Sequence, residues 1–509
     1  MQMPAELRSR STFFGMESDS IALQHATERL HSVPDIHFEL IETDFLTWTT
    51  EFEHSQMFAS DNWHQLFDAV ISNPPYVRTQ VMGGRNAQRL AAQFRITGRV
   101  DLYHAFALAM TMVLREGGVL GLLCSNRFLS VQSGATLRRV LLQDYALHDI
   151  FDLGDTKLFG AAVLPAIVIG TKGKTATAEC RFTRIYEDHD PNDKGKAFPT
   201  VLNAIVSGAD GVVRVSDRVF QIERGHLADP ANLAEPWRVS SPEQEAWLAN
   251  LRRRAPRTFA DLVNIRVGVK TTADNVFIRE DWSELPKEMQ PESEVLFPLA
   301  SNWVAEQWWP RETARGVKIL YTHTTKNGKR VPIDLEQFPR AANYLESQRV
   351  QLEGRKYVIE AGRCWYEIWV PQQPSEWRKP KAVFPDISPT PKFFLDETGS
   401  IVDGNCYWFT AQEREHLYLL LAIANSTFIL KFYDMVCGNK LYASRRRFIT
   451  QYVERFPVPD PDSAIAERII SKMKSLYALP PHSEQSKVVI AEVDSLVWDT
   501  CSLIETIAR

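Results

Sequence analysis

The sequence contains no run of about 18 apolar residues, so a membrane-spanning helix is not expected. Its start, Met1-Gln2-Met3-Pro4-Ala5-Glu6-Leu7-Arg8, has no apolar h-region, and no signal peptide is expected. Cysteine is scarce and scattered: the six residues at 124, 180, 364, 406, 437 and 501 form no CxxC pair and no Cys/His group. That argues against a disulfide framework and against a metal site, and for a reducing, cytoplasmic setting. Neither sign of charge is in large excess, with 58 Lys+Arg against 63 Asp+Glu and a net charge of -5. A nucleic-acid surface would therefore be a local patch rather than the whole protein. Internal repeats and low-complexity tracts are also absent. The 44% hydrophobic and 24% charged composition excludes disordered, collagen-like and fibrous chains. A length of 509 residues points to about two to four domains.

The first 185 residues alternate short apolar runs with helix-like stretches. Strands are expected at Phe13–Glu17, His37–Glu42, Phe67–Ser72, Val119–Cys124, His148–Leu153 and Ala166–Gly170. Helices are expected at Ser20–His31, Leu102–Leu114 and Leu137–Leu142, with Gly117-Gly118 stopping the second. This alternation predicts an α/β, doubly wound, mostly parallel sheet that binds ligands at the carboxyl ends of its strands. Residues 186–240 read as a connecting segment, loop-like at Asp188–Asp193 and β-rich at Val212–Gln221. Residues 241–460, rich in Trp, Pro and Arg, read as a second, mixed α/β domain. Residues 461–509 read as two helices joined at Leu479-Pro480-Pro481.

The sharpest signal is Asn73-Pro74-Pro75-Tyr76, directly after an apolar strand. On the order of 0.01 to 0.02 such tetrapeptides are expected by chance in a chain this long. A rigid turn is the plain alternative, since two prolines hold the backbone extended. The chemistry suits methyl transfer to an exocyclic amine, whose lone pair is delocalised into the ring. An Asn side-chain oxygen and a stiff proline carbonyl can accept both N–H bonds, draw the nitrogen toward sp³ geometry and free the lone pair. The aromatic that follows can stack on a base that has left the duplex. In-line displacement at a sulfonium methyl depends mainly on positioning and a preorganised polar site, so no cysteine nucleophile is required. Cys124, on an apolar strand, reads as core.

Asn73-Pro74-Pro75-Tyr76 resembles the catalytic motif of amino-methylating DNA methyltransferases of the gamma, adenine-N6 type. That resemblance implies a Rossmann-like class I methyltransferase sheet, S-adenosylmethionine as cofactor and a flipped adenine in duplex DNA as substrate. Gly15-Met16-Glu17-Ser18-Asp19 is similar to the acidic loop that holds the cofactor ribose, which carries over to Glu17; a helix N-terminal acid is the alternative. Thr43-Asp44-Phe45-Leu46 is similar to the segment whose Asp44 and Phe45 would hold the cofactor adenine; Asp44 could instead be an N-cap. Gly98–Phe106 resembles the motif that lines the cofactor pocket, which would carry over to Asp101; an N-cap is the alternative. Ser125–Leu129 resembles the loop after the next strand. Phe159 before Ala161–Ile169 would face the flipped base opposite Tyr76, or is core. The family's Gly-rich cofactor loop has no counterpart here: only 16 residues precede Glu17, and Met1–Ser11 contains no glycine. The expected sheet therefore lacks its central strand. A truncated start, a split enzyme completed by a second polypeptide, and a degenerate protein are the three explanations.

Val267–Ile278, Lys379–Pro385, Leu421–Ser426 and Phe456–Pro459 resemble, in order, the TaqI-like specificity domain of such methyltransferases. Basic clusters lie beside them: Arg252–Arg254 with Arg257, then Arg378, Lys379 and Lys381, then Lys440 with Arg445, Arg446 and Arg447. Phosphate contacts by such residues would position a duplex; a solvated face is the alternative for each. Trp308-Trp309 reads as core. No magnesium-nuclease spacing is present. The expected function is site-specific adenine-N6 methylation in restriction-modification or phage defence. A cytosine-N4 enzyme and a DNA-recognition subunit without independent catalysis are the rivals.

Overall fold

The computed structural model describes residues 3–501 except 57–66, 77–82, 97–100, 157–163, 174–178, 188–195, 216, 229–234, 313–315 and 438–444. Two compact units meet between Ser241 and Pro242.

In the first unit, β1 (Thr12–Glu17), α1 (Ser20–His31) and β2 (His37–Glu42) form one crossover, with β1 and β2 parallel and Glu17 opposite Glu42. Asp19 starts α1 by accepting from the N–H groups of Ile21 and Ala22 at 2.9 and 3.0 Å, a role short acidic side chains favour. Next come α2 (Phe45–Gln56), β3 (Phe67–Ser72), α3 (Gly84–Gln93), α4 (Leu102–Val113) and β4 (Leu114–Ser125). α5 (Ala135–Asp144), β5 (Tyr145–Asp152), β6 (Pro165–Lys172) and β7 (Arg181–Glu187) follow. The unit ends with β8 (Lys196–Phe198), α6 (Val201–Ser207), β9 (Gly211–Val215), β10 (Arg218–Leu227) and β11 (Val239–Ser240).

The large sheet runs β3-β4-β6-β5-β7-β10-β9-β8, with β11 on β10. β3 and β4 are parallel, while β6 is antiparallel to both its neighbours. Leu120, Leu122, Cys124, Ile150 and Val168 bury one face of it with Tyr103 and Met110 of α4 and Leu137 and Leu141 of α5. Three expectations are corrected. The sheet is not mostly parallel: β4–β6, β5–β6, β7–β10, β9–β10 and β10–β11 pair antiparallel, and only β3–β4, β5–β7 and β8–β9 pair parallel among the described residues. Residues 186–240 are not a connection: β7 and β10 pair from Phe220↔Glu187 to His226↔Arg181, inside the same sheet. The β-rich stretch Val212–Gln221 falls on β9 and the start of β10. Gly117-Gly118 does not separate a helix from a strand either, because β4 already begins at Leu114. Residues 115–118 bulge opposite Asp68, between the Phe67↔Leu114 and Ala69↔Val119 pairs. Gly117 has φ +74°, and a Cβ on Gly118 would lie 2.8 Å from the Arg115 carbonyl. The bulge therefore needs both glycines, and Arg115 closes it on Asp68 at 2.5 Å.

The second unit opens with α7 (Pro242–Arg254) and holds two four-stranded sheets. In one, Lys381–Pro385 lies between Cys406–Phe409 and Phe394–Asp396. α8 (Arg414–Asn425) and α9 (Thr427–Val436) form its apolar centre. Their axes bend by 68°, and no single helix among the described residues is long and apolar enough to cross a membrane. α10 (Ala464–Tyr477) and α11 (Glu484–Cys501) flank Leu479-Pro480-Pro481. Ile469, Met473, Val493 and Val497 share one core with Leu421 and Phe428, so the tail is part of this unit rather than an appendage. Trp308 is 5% exposed in the same core.

Candidate active site

β3 and β4 deliver their carboxyl ends side by side, with Ser72 opposite Leu122. Asn73, Pro74, Pro75 and Tyr76 leave β3 at that end. Pro74 is buried, Asn73 and Pro75 are exposed, and Tyr76 is half-buried. The Tyr76 hydroxyl donates to Asn73 Oδ1 at 2.8 Å. The ring of Tyr76 rests on the core that contains Tyr103 and Cys124. Burial, with a smaller contribution from Cys124, pushes the Tyr76 phenol up to about 12. It is therefore a donor and a stacking surface near neutrality, not a base. Cys124 is fully buried, and its thiol is pushed up by desolvation.

A second group of side chains gathers at the ends of β1 and β2. The Thr43 N–H donates to the Glu17 carbonyl at 3.0 Å, which holds the two loops together. The exposed Glu17 carboxylate accepts from the Asp19 N–H at 3.0 Å. Asp44 caps α2, accepting from the Thr47 N–H at 2.7 Å through Oδ1. The Phe45 ring stacks on Trp48 at 6.5 Å and tilts against Phe106 of α4 at 5.6 Å. Asp101 stands at the N-cap position of α4 and its side chain makes no capping bond. α4 thus serves both groups: Tyr103 belongs to the core on which Tyr76 packs, and Phe106 meets Phe45. Phe159 lies outside the described residues. The β5–β6 connection that carries it leaves Asp152 and returns at Pro165, at the same end of the sheet.

The structure adds residues that the motifs did not single out. Asp152, fully buried, accepts from Asn126 Nδ2 at 2.9 Å and from the Tyr186 hydroxyl at 2.7 Å. Burial raises the Asp152 carboxyl pKa, opposed chiefly by Arg184. An acid closing the apolar run Ile150-Phe151 is the only signal in the sequence; Tyr186 and Arg184 come from β7, a strand that the residue pattern did not reveal. On α4, the Tyr103 hydroxyl and both His104 ring nitrogens are buried without a hydrogen-bond partner among the described residues.

His104 makes a pH prediction. Desolvation, then Arg138, lowers its pKa from 6.5 to about 4. Between those values the unfolded chain binds a proton that the folded chain refuses. The contribution of neutral His104 is therefore complete above pH 6.5 and is lost as the pH falls toward 4, by about 3 kcal/mol. Urea unfolding of wild type and His104→Leu at pH 7, 6, 5 and 4 should show the variant gaining on wild type by about that amount. Parallel pH curves would refute the assignment.

In the second unit the basic residues separate. Arg378, Lys379 and Arg445 are exposed, although Lys379 also reaches Glu376 at 2.7 Å. Lys440 lies outside the described residues. Three expectations are corrected. Lys381 is 0% exposed and paired with Asp396 at 2.7 Å. Arg446 is buried against Asp434 at 2.6 and 2.7 Å and against the Pro389 carbonyl. Arg447 holds Asp386 at 3.0 and 2.6 Å. The sequence shows a charge but not the acid that folding places across from it.

Residues 8–159 match the Eco57I restriction-modification methylase family, and residues 308–458 the TaqI-like C-terminal specificity domain. The chain is 41% identical over 492 residues to the type II methyltransferase M.BanIII of Aneurinibacillus aneurinilyticus, covering 95% of this chain and 85% of that protein. It is 26% identical over 431 residues to the type II methyltransferase M.BstVI of Geobacillus stearothermophilus, covering 83% and 71%. The solved structure of the type IIL restriction-modification enzyme MmeI in complex with DNA matches 95% of this chain and 61% of its own. Its TM-score is 0.58 at 11% identity, a likeness of fold. With an Asn-Pro-Pro-Tyr corner on its α/β sheet and 41% identity to such an enzyme along nearly its whole length, the chain belongs to the type II methyltransferases of restriction-modification systems, an Eco57I-type methylase region followed by a TaqI-like specificity domain.

Proposed function

We propose that this methyltransferase transfers the methyl group of S-adenosylmethionine to the N6 amine of an adenine flipped out of duplex DNA, as the modification activity of a restriction-modification or phage-defence system. The observation that carries this reading is Asn73 at the carboxyl end of β3, exposed, followed by two prolines and hydrogen-bonded to Tyr76 at 2.8 Å. Asn73 Oδ1 and the Pro74 carbonyl accept the two amine N–H bonds. The amine takes the place that the Tyr76 hydroxyl holds on Asn73, and the Tyr76 ring is released to stack on the base. Phe159 is assigned the opposite face of the base.

Glu17, Asp44, Phe45 and Asp101 would hold the cofactor. Their chemistry fits its adenosine half: an exposed carboxylate for ribose hydroxyls, a second acid for the adenine amine and an aromatic face beside it. When bound, the cofactor supplies an electrophilic methyl group. The protein's part is to orient the amine lone pair and to keep the acceptors preorganised.

Arg378, Lys379 and Arg445 are assigned to DNA phosphates. Changing Arg378 and Lys379 together to alanine should weaken binding of all duplexes alike and flatten the log Kd–log salt slope by about 2, near 0.9 per phosphate. An unchanged slope would remove these residues from the interface. The proposal as a whole is tested by incubating the protein with labelled cofactor and duplex DNA and digesting the product to nucleosides. N6-methyldeoxyadenosine is expected. N4-methyldeoxycytidine would replace the base assignment, and duplex binding without transfer would make the chain a recognition subunit.

A further inference from the structure

One hairpin of the second unit reaches into solvent. His323–Lys326 and Lys329–Pro332 pair antiparallel as a two-stranded ribbon, with no third strand among the described residues. Asn327 and Gly328 form the two-residue turn, with φ 52° and 72°. Positive φ at both central residues is the tight hairpin turn whose twist matches its strands. From Thr324 to Arg330 every residue is exposed, and a Cβ on Gly328 would meet nothing within 4 Å. The stretch Thr324-Thr325-Lys326-Asn327-Gly328-Lys329-Arg330 carries three cations, no acid and no apolar side chain. An isolated hairpin is marginal in water, so the order of this one comes from its root. The Tyr321 hydroxyl donates to the Pro371 carbonyl at 2.6 Å, the Thr322 hydroxyl to the Tyr366 carbonyl at 3.0 Å and the Tyr366 hydroxyl to the Ile333 carbonyl at 2.9 Å. Arg330 donates to the Gln372 carbonyl at 3.2 Å, on the segment that runs on to Arg378 and Lys379. The root is fixed and the tip is free. At the tip Lys326 stands directly opposite Lys329, and no acid among the described residues pairs with either. Like charges directly opposite are destabilising. A fold that keeps such a pair on an unobstructed tip is suited to a polyanion.

We propose that this ribbon enters the major groove of the target duplex, and that Lys326, Asn327 and Lys329 read base edges there. The exposed arm Thr324–Lys326 spans about 10 Å. The major groove of B-DNA, about 12 Å wide and 8.5 Å deep, admits a two-stranded ribbon. Lysine can donate to guanine O6 and N7, and asparagine can pair with adenine N6 and N7. A tip without apolar side chains does not suit the apolar centre of a protein interface or a bilayer. Only the identity of the partner, duplex DNA, rests on the proposed function.

The test is selection of bound duplexes from a randomised pool by the full chain, followed by affinities for the selected site and its single-base variants. Wild type should enrich one site. Two variants are compared with it: Asn327→Gly, which keeps the positive φ of the turn, and Lys326→Ala combined with Lys329→Ala. Each should lose about 5- to 150-fold of discrimination at a few base pairs and none at the others. At those base pairs 7-deazapurines, which lack the major-groove N7 acceptor, should weaken wild-type binding and leave the variants nearly unchanged. The urea midpoint of the double lysine variant should not fall, because a like-charge pair is removed. Variants that weaken every duplex alike would make the ribbon a phosphate contact and overturn the proposal. Indifference to 7-deazapurines with sensitivity to inosine in place of guanine would put the ribbon in the minor groove and overturn it too. A wild-type chain that selects a site which these variants select equally well sinks the ribbon alone. A wild-type chain that binds no duplex sinks the DNA reading together with it.

Discussion

Replacing Asn73 with alanine should stop methyl transfer while leaving the protein folded and bound to DNA. Asn73 is exposed, and its side-chain oxygen accepts a hydrogen bond from the Tyr76 hydroxyl. Its loss therefore costs the fold little. In the proposed reaction, its oxygen is an acceptor that strengthens as positive charge develops on the amine. Removing one preorganised polar group of this kind lowers kcat by about 10²- to 10³-fold. Single-turnover methylation with saturating cofactor and duplex is the measurement, with duplex affinity followed in parallel and expected to stay within about twofold. Asn73→Asp keeps an acceptor oxygen and should retain more activity than Asn73→Ala. Equal loss of binding and transfer would move Asn73 from the reaction to the fold. Tyr76→Phe separates the two functions of its neighbour. It removes the bond to Asn73 but keeps the ring, so transfer should persist, whereas Tyr76→Ala should lose the base-stacking contribution of about 1–3 kcal/mol.

The second large effect concerns a residue whose charge suggested a role in DNA binding. Lys381→Ala should destabilise the second unit by about 3–5 kcal/mol, because it strands Asp396 as an uncompensated buried charge. Lys381 Nζ sits 2.7 Å from Asp396 and donates to the Trp377 carbonyl at 2.7 Å. Burial lowers the Lys381 pKa, and the Asp396 charge opposes that shift. Replacing both members, Lys381→Met with Asp396→Leu, should recover most of the loss, since a buried pair contributes little beyond an apolar pair of similar volume. Urea unfolding of the three proteins decides the matter. A phosphate contact would give the reverse pattern, with stability unchanged and DNA binding weakened. That outcome would require Lys381 to leave its place in the core.

Much of the first unit was legible from local pattern. β2 and β3 fall where apolar strand runs end at Glu42 and Ser72, and α1 runs from Ser20 to His31 behind its Asp19 cap. These elements are written in short-range chemistry: alternation, a capping acid, a proline pair. The Asn73–Tyr76 corner was legible for the same reason, because a strand followed by two prolines allows few backbone paths. What stayed hidden was long-range. β7 and β10 are ordinary polar-flanked strands whose membership in the sheet depends on partners some thirty to forty residues away. The bulge at 115–118 shows only in the register between β3 and β4, where Arg115 meets Asp68 of the neighbouring strand.

The sequence by itself determined the alternating α/β plan, the Asn73–Tyr76 corner at the end of a strand, and the order of the segments around it, since each depends on residue type and close spacing. Only the tertiary structure decided which charges reach solvent. Lys381, Arg446 and Arg447 look like Arg378 and Lys379 in a line of letters. They differ because folding buries Lys381 and Arg446 against Asp396 and Asp434 and half-buries Arg447 against Asp386, and a charge withdrawn from solvent onto its counter-ion is less available to a phosphate.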